Sequence, residues 1–406
     1  MSEPAPSPSR VPAARYTDPD QARQEWASLW PRVWLMAGLS RDLALVGAWR
    51  VFEHGHASIL VVRGGDGTLR AFHNVCQHRG ALLCTGREGR SERFVCPYHG
   101  WRWGSDGTLL GASDAEGFDA EVQARSLRLA ELPCDEALGF VWIHLGQPEQ
   151  SLADYLGPVL PQVAAYGIAD WDLRRDSTVP LACNWKTSLD AHAESYHVHA
   201  LHAEVLPLLD DTAVELCSLG RHSRLRVPFG LPSGRLPEGA RPALLSEVLR
   251  GYGVDVDALP PGRQAGRLAL QALRRARGAA YDALPDVLLS DNQLFHVFPN
   301  LHINLHADEL QVFRHRPHGS DPGRMFFDQL ILQRRPAGQG PAARPPHEDL
   351  ARAAASLGPL TDADMAIAER VQRGLADGAL PFLRLGAGEG GILHYHRVLE
   401  ELLEQR

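Results

Sequence analysis

At 406 residues, 44% of them hydrophobic, the chain has material for two domains, each with its own core. A net charge of −8 argues against a general nucleic-acid binder, and no apolar run is long enough for a transmembrane helix. Six cysteines without an apolar signal segment point to free thiols or metal ligands in a reducing, cytoplasmic setting, not to a disulfide framework.

Residues 1–16 are rich in Pro, Ser and Ala and read as a disordered tail. Residues 19–34 have helical spacing of Trp26, Leu29, Trp30 and Val33. From about residue 40 to 147 the texture is short alternating runs joined by Gly-Asp-Gly turns, the pattern of a small all-β domain. A helical stretch near residue 150 marks a boundary, so the domains are expected at 17–150 and 151–406. The histidine-rich stretch at 184–209 reads as helical, and 231–242 as a loop. An amphipathic basic helix follows near 262–284, then alternating runs over 292–335 and helices to the end. The second part is therefore α+β. Lys186, the single lysine, reads as compositional bias of an arginine-rich sequence.

Cys76, His78, Cys96 and His99 form the pattern C-x-H-x17-C-x2-H. Classical zinc spacing pairs Cys with Cys and His with His, whereas each half here contributes one of each. A Rieske [2Fe–2S] centre needs two thiolates on one iron and two imidazoles on the other, which two such mixed loops supply. Cys84, Cys134, Cys183 and Cys217 sit in apolar or unpatterned contexts and read as small buried hydrophobes.

Further on, His192, His197, His199 and His202 crowd into one stretch beside Asp190 and Glu194, which makes a metal site. His192 and His199 lie seven apart and would share a face of a regular helix. His197 and His202 lie five apart and would diverge by about 140°, so they converge only if the helix is bulged or breaks near His199, a π-type irregularity being the physical solution. Neither a zinc-protease H-E-x-x-H nor the P-C-x-x-C of a deaminase accompanies them.

The stretches "GTLRAFHNVCQHRGA" and "CPYHGWRW" resemble the Rieske domain of ring-hydroxylating oxygenase alpha subunits. "NWK", Tyr196 and the spacing of Glu194, His197 and His202 resemble that family's catalytic domain, and "TDADMAIAERVQRGL" resembles its late helix. The resemblance implies an α+β chain: an all-β Rieske domain followed by a helix-grip (START/Bet v1-like) domain. It implies a Rieske [2Fe–2S] cluster on Cys76, His78, Cys96 and His99, and a mononuclear Fe(II) on His197, His202 and Asp364, with Asp362 as the runner-up. Glu194 falls where the family bridges its two centres across a homotrimer interface. The commonest residue there is Asp, while Glu occurs in relatives acting on quaternary ammonium compounds. Ala191 replaces a frequent Asn.

Implied partners are a ferredoxin or flavin reductase, O2 and a small organic substrate, with no nucleic acid or membrane. The expected activity is hydroxylation or dihydroxylation of an aromatic or apolar ring. One alternative is N- or O-demethylation or C–N cleavage of a small polar substrate. Another is a non-catalytic Rieske electron-transfer or ligand-binding protein. Leu206, Leu208, Leu209, Phe229, Phe295 and Phe298 are candidate pocket lining or ordinary core, and Arg221, Arg224 and Arg226 form a solvated face or, alternatively, bind a substrate carboxylate.

Overall fold

A computed structural model describes residues 9–237 and 242–404. The chain divides into two compact units. One comprises Glu25–Tyr155 with His318–Ser320. The other comprises Leu156–Pro317 and Asp321–Arg406 with the N-terminal segment up to Gln24.

The smaller unit is built of short strands. A five-stranded sheet runs in the order Glu131–Leu132, Leu69–His73, Ala57–Arg63, Ala48–His54, Glu88–Arg90. Two three-stranded sheets accompany it, one of Arg93–Val95, Arg102–Gly104 and Leu109–Gly111, the other of Cys134–Ala137, Phe140–His144 and Trp34–Leu39. Leu60, Val62, Phe72, Phe94 and Trp103 form a core that also takes in Cys76 and Cys96. The helix expected over 19–34 ends at Ser28; a 3-10 turn, Trp30–Arg32, follows. Pro31 cannot donate the next helical hydrogen bond, and Trp34 already begins a strand.

The larger unit holds an eight-stranded sheet, in the order Glu215–Leu219, His222–Val227, Asn292–Val297, Leu301–Leu305, Glu309–His318, Asp321–Gln333, Asp172–Leu181, Glu348–Asp349. The helix Gly390–Glu404 runs against His222–Val227 and the helix Pro359–Ala376 against Trp185–Asp190. This is the mixed helix-and-sheet architecture expected of the second domain. Two helices, Ala243–Tyr252 and Ala265–Ala276, pack Leu245, Leu249 and Leu270 around Phe229. Positions 238–241 of the expected loop lie outside the described residues. Among the described residues no helix is long and apolar enough to cross a membrane.

The expected tail needs correction where it is described; its first eight residues lie outside the described residues. Ser9–Pro12 is a strand paired antiparallel with Phe382–Leu385, with Val11 opposite Leu383. Val11, Ala13 and Tyr16 are buried with Leu375, Leu385 and Ile392. Alternating apolar side chains give this Pro-rich segment enough surface to bury to offset the entropy of ordering it.

Two candidate metal centres

The two halves of the cysteine–histidine motif fold as near copies. Cys76 N–H donates to Ala81 O (2.8 Å) and Gly80 N–H to Cys76 O (3.0 Å). Cys96 N–H donates to Trp101 O (2.8 Å) and Gly100 N–H to Cys96 O (3.0 Å). In each loop the glycine four residues after the cysteine has positive φ, 76° at Gly80 and 70° at Gly100. This left-handed turn suits glycine and swings the chain back around the cysteine.

Both cysteines are buried, while His78 is half-buried and His99 exposed. The His78 and His99 rings lie 4.6 Å apart, and His78 stacks on Trp101 at 4.5 Å. Burial pushes the Cys76 thiol up, and the neighbouring Cys96 adds to the shift. Nδ1 of His78 is buried with no hydrogen-bond partner. Two converging thiols inside, two adjacent imidazoles outside and an orphaned ring nitrogen fit a [2Fe–2S] cluster of the Rieske type. Cys84 plays a packing part. Its backbone is clamped by Asn74, which accepts from Cys84 N–H (2.9 Å) and donates to Cys84 O (2.7 Å). Burial lifts its thiol to about 11.

The second centre is assembled from two helices tied together. Asn184 caps Trp185–Asp190 by accepting from Lys186 N–H (3.0 Å). Its own N–H donates to Gln372 Oε1 (2.9 Å) on the long helix Pro359–Ala376. Asp364, eight residues before Gln372, is thereby brought to the histidine segment. The histidine stretch is not a continuous helix. It stops at Asp190 and resumes only as Val198–Leu201, with His197 and His202 as the flanking caps. The break lies before His197; the single turn between the two histidines is helical, and its end at His202 (φ −125°, ψ 42°), in place of a π-type bulge, leaves their rings 5.2 Å apart.

Ligand atoms of His197, His202 and Asp364 lie within 4.8 Å of one another. His202 Nε2 is 2.7 Å and His197 Nε2 3.9 Å from Asp364 Oδ1. Glu194 Oε1 sits 2.5 Å from His197 Nδ1, and Glu194 Oε2 accepts the backbone N–H groups of Tyr196 and His197. Burial opposes protonation of His197, but Glu194 and then Asp364 raise it above its ordinary value. Two imidazoles and one carboxylate with bare nitrogen edges fit the facial donor set of a non-haem Fe(II).

Asp362 is engaged elsewhere, accepting from Leu357 N–H (2.8 Å) and Ser356 Oγ (3.1 Å) at the start of the helix. Neither His192 nor His199 joins the converging set. His199 lies 5.3 Å from Tyr196, ring to ring. His192 places Nδ1 2.9 Å from Ser188 O and Nε2 3.9 Å from Asp364 Oδ2.

Of the other candidates, Leu208, Leu209 and Phe229 belong to the helical cluster around Leu249, and Leu206, Phe295 and Phe298 are buried. Arg224 donates to Gln162 (2.7 Å), and Arg226 pairs with Asp291 (2.7 Å) and Glu215.

Sequence reasoning missed the buried histidines His296, His302 and His315 of the sheet. Their signal was present in "FHVFPNLHINLH": His296 and His302 stand opposite each other across the hairpin, so both point to one face. It also missed the network in which Tyr16 Oη donates to Asp190 Oδ2 (2.6 Å) and lies 2.7 Å from His396 Nε2.

The family model for the catalytic domain of ring-hydroxylating alpha subunits matches residues 168–405, and that for the Rieske [2Fe-2S] domain matches residues 33–121. The chain is 33% identical over 205 residues to the glycine betaine monooxygenase oxygenase subunit of Chromohalobacter salexigens, covering 50% of this chain and 46% of the relative. It is 33% identical over 195 residues to the carnitine monooxygenase oxygenase subunit of Escherichia coli K12, covering 47% and 52%. The match thus spans about half the length of these curated relatives. Among solved structures, a quaternary ammonium Rieske monooxygenase bound to L-carnitine superposes with a TM-score of 0.71 at 19% identity, covering all of both chains. Naphthalene 1,2-dioxygenase from Rhodococcus, bound to indole, gives 0.72 at 18%, covering 98% of this chain and 95% of the other. At these identities the likeness concerns the fold.

Proposed function

The chain belongs to the ring-hydroxylating alpha-subunit family of Rieske oxygenases, and from that premise we propose that it is a terminal oxygenase that demethylates, or cleaves a C–N bond of, a small polar substrate. In this reading Cys76, His78, Cys96 and His99 hold the [2Fe–2S] cluster, and His197, His202 and Asp364 hold the Fe(II). When bound, the cluster supplies single electrons and the iron supplies the site of O2 reduction. A ferredoxin or flavin reductase delivers the electrons, and the working assembly is a homotrimer in which Glu194 bridges the centres of adjacent subunits. Within the chain, Glu194 keeps a proton on His197 Nδ1, which leaves Nε2 as the donor atom. The burial of Cys76 and Cys96 keeps water from the thiolate side, while the outward imidazoles of His78 and His99 are the groups that Glu194 of an adjacent subunit would meet.

The observation that carries the substrate class is the polarity of the sheet beside Asp364. His192, next to that carboxylate, packs on His302 (5.5 Å) and His315 (5.4 Å), whose buried rings carry unpartnered nitrogens. A hydrocarbon ring would leave them unpaired, at about 1–3 kcal/mol each. A polar substrate satisfies them. The names of the curated relatives, glycine betaine and carnitine monooxygenases, favour the same reading over ring hydroxylation. Purified protein with a surrogate reductase should couple O2 uptake to release of formaldehyde (demethylation) or of a tertiary amine (C–N cleavage) from a quaternary ammonium compound. Coupled conversion of naphthalene to a diol, with no turnover of quaternary amines, would overturn it.

A further inference from the structure

Three strands bring histidines to one face of the large sheet. His296 stands directly opposite His302, and His302 directly opposite Phe313, so these three share a face. His315, two residues beyond Phe313, joins them. Both ring nitrogens of His302 are buried without a hydrogen-bond partner, as are Nε2 of His296 and Nε2 of His315. Oδ1 of Asn304, two residues along from His302, is equally unpartnered. His315 is held from behind, its Nδ1 3.1 Å from Ser188 Oγ. The face is tied to the candidate iron corner through His192, whose ring touches His302, His315 and Phe313 and whose Nε2 approaches Asp364.

Buried polar atoms normally find partners, and a strand interior would accept Ile or Val at each of these positions. Several orphaned atoms on one face beside a reaction centre call for a partner from outside the chain. We propose that His302, flanked by His296 and His315, is a specificity-determining anchor for an oxygen-bearing group, a carboxylate or hydroxyl, at the non-reacting end of the substrate. The proposal rests on the reading of the His197, His202 and Asp364 corner as the oxidation site. A trimethylammonium group has neither donor nor acceptor and gains nothing from these nitrogens. An oxygen group accepts their N–H bonds and leaves the other end of the molecule for the metal corner. Burial holds His302 and His315 well below the ordinary histidine value and His296 down to about 3, so each ring meets the substrate neutral, with one N–H and one lone pair.

The test is calorimetric binding to the anaerobic Fe(II) holoenzyme, with two probe pairs that differ by the oxygen group: glycine betaine against tetramethylammonium, and benzoate against toluene. In at least one pair the oxygen-bearing member should bind about tenfold more tightly or better. His302→Leu should bring it down to its partner's affinity, and His302→Gln should retain part of the preference. His302→Leu should also raise the melting temperature of the ligand-free protein, because two unpartnered nitrogens leave the interior. Discrimination in the benzoate pair alone would keep the anchor and reject the quaternary ammonium reading. No discrimination in either pair, or discrimination that survives both His302→Leu and His315→Leu, would overturn the anchor.

Discussion

Glu194 Oε1 lies 2.5 Å from His197 Nδ1, and the other oxygen of the same carboxylate accepts the backbone N–H of His197 at 3.1 Å. One side chain thus sets both the position and the tautomer of the histidine. Partners of this kind are worth about 10–100-fold in metal affinity. Glu194→Ala should therefore weaken mononuclear iron binding by that factor, measured by chelator competition, while the Rieske visible spectrum stays intact. At saturating iron the variant should still fail to oxidise its reduced cluster in a single turnover. Normal turnover would refute the role of Glu194.

The two acids of the late helix have separate tasks. Asp364 faces both histidines, whereas Asp362 closes the helix start on Leu357 and Ser356. Asp364→Asn should abolish mononuclear iron while two irons and two labile sulfides per chain remain, about the content of the cluster alone. Asp362→Ala should keep all metal and cost roughly 1 kcal/mol in urea unfolding, as a lost capping contact does. Loss of the mononuclear iron in the Asp362 variant would reverse the assignment.

Gly391 fixes the segment that carries Glu194. A Cβ at this position would meet the Ala193 carbonyl, and φ strain plays no part, since only space is at issue. The helix Gly390–Glu404 comes this close because no side chain stands between. Gly391→Ala must displace either the helix or the Ala193 backbone. Iron analysis should show loss of the mononuclear metal with the cluster retained. A fully loaded variant with wild-type melting would show that the backbone gives way freely.

The cluster motif was readable because its ligands sit close in sequence and its loops obey local rules, with Gly80 and Gly100 marking the turns. The triad was partly readable. Helix geometry called for an irregularity between His197 and His202, but the structure places the helix break upstream, between Asp190 and Val198, and ends the short turn Val198–Leu201 at His202. Asp364 came from resemblance alone; its approach depends on the Asn184–Gln372 hydrogen bond between residues 188 positions apart. The sheet histidines were legible only in part: "FHVFPNLHINLH" holds His296 and His302, but strand pairing and not spacing sets them opposite each other and brings the strand of Phe313 and His315 beside them. The N-terminal strand was misread because composition speaks for disorder while its partner, Phe382–Leu385, lies at the far end of the chain.

The sheet histidines, with His306 just past the strand Leu301–Leu305, give the larger unit a pH signature. Burial depresses His296 to about 3 and His306 to about 4, from an ordinary value of 6.5. A depressed folded-state value means that the unfolded chain takes up protons first as the pH falls. The stabilising contribution is therefore complete above about pH 6.5 and is lost progressively down to about pH 3–4. Each such histidine contributes a slope of about 1.4 kcal/mol per pH unit in that window, and His302 and His315 shift in the same direction. Urea midpoints followed by circular dichroism should fall steadily from pH 6.5 to pH 4.5. The double variant His296→Gln, His306→Gln should show a shallower dependence, because two of the proton-accepting groups are gone from the unfolded state. A midpoint that stays level over this range in the parent protein would mean that these rings are already protonated in the fold.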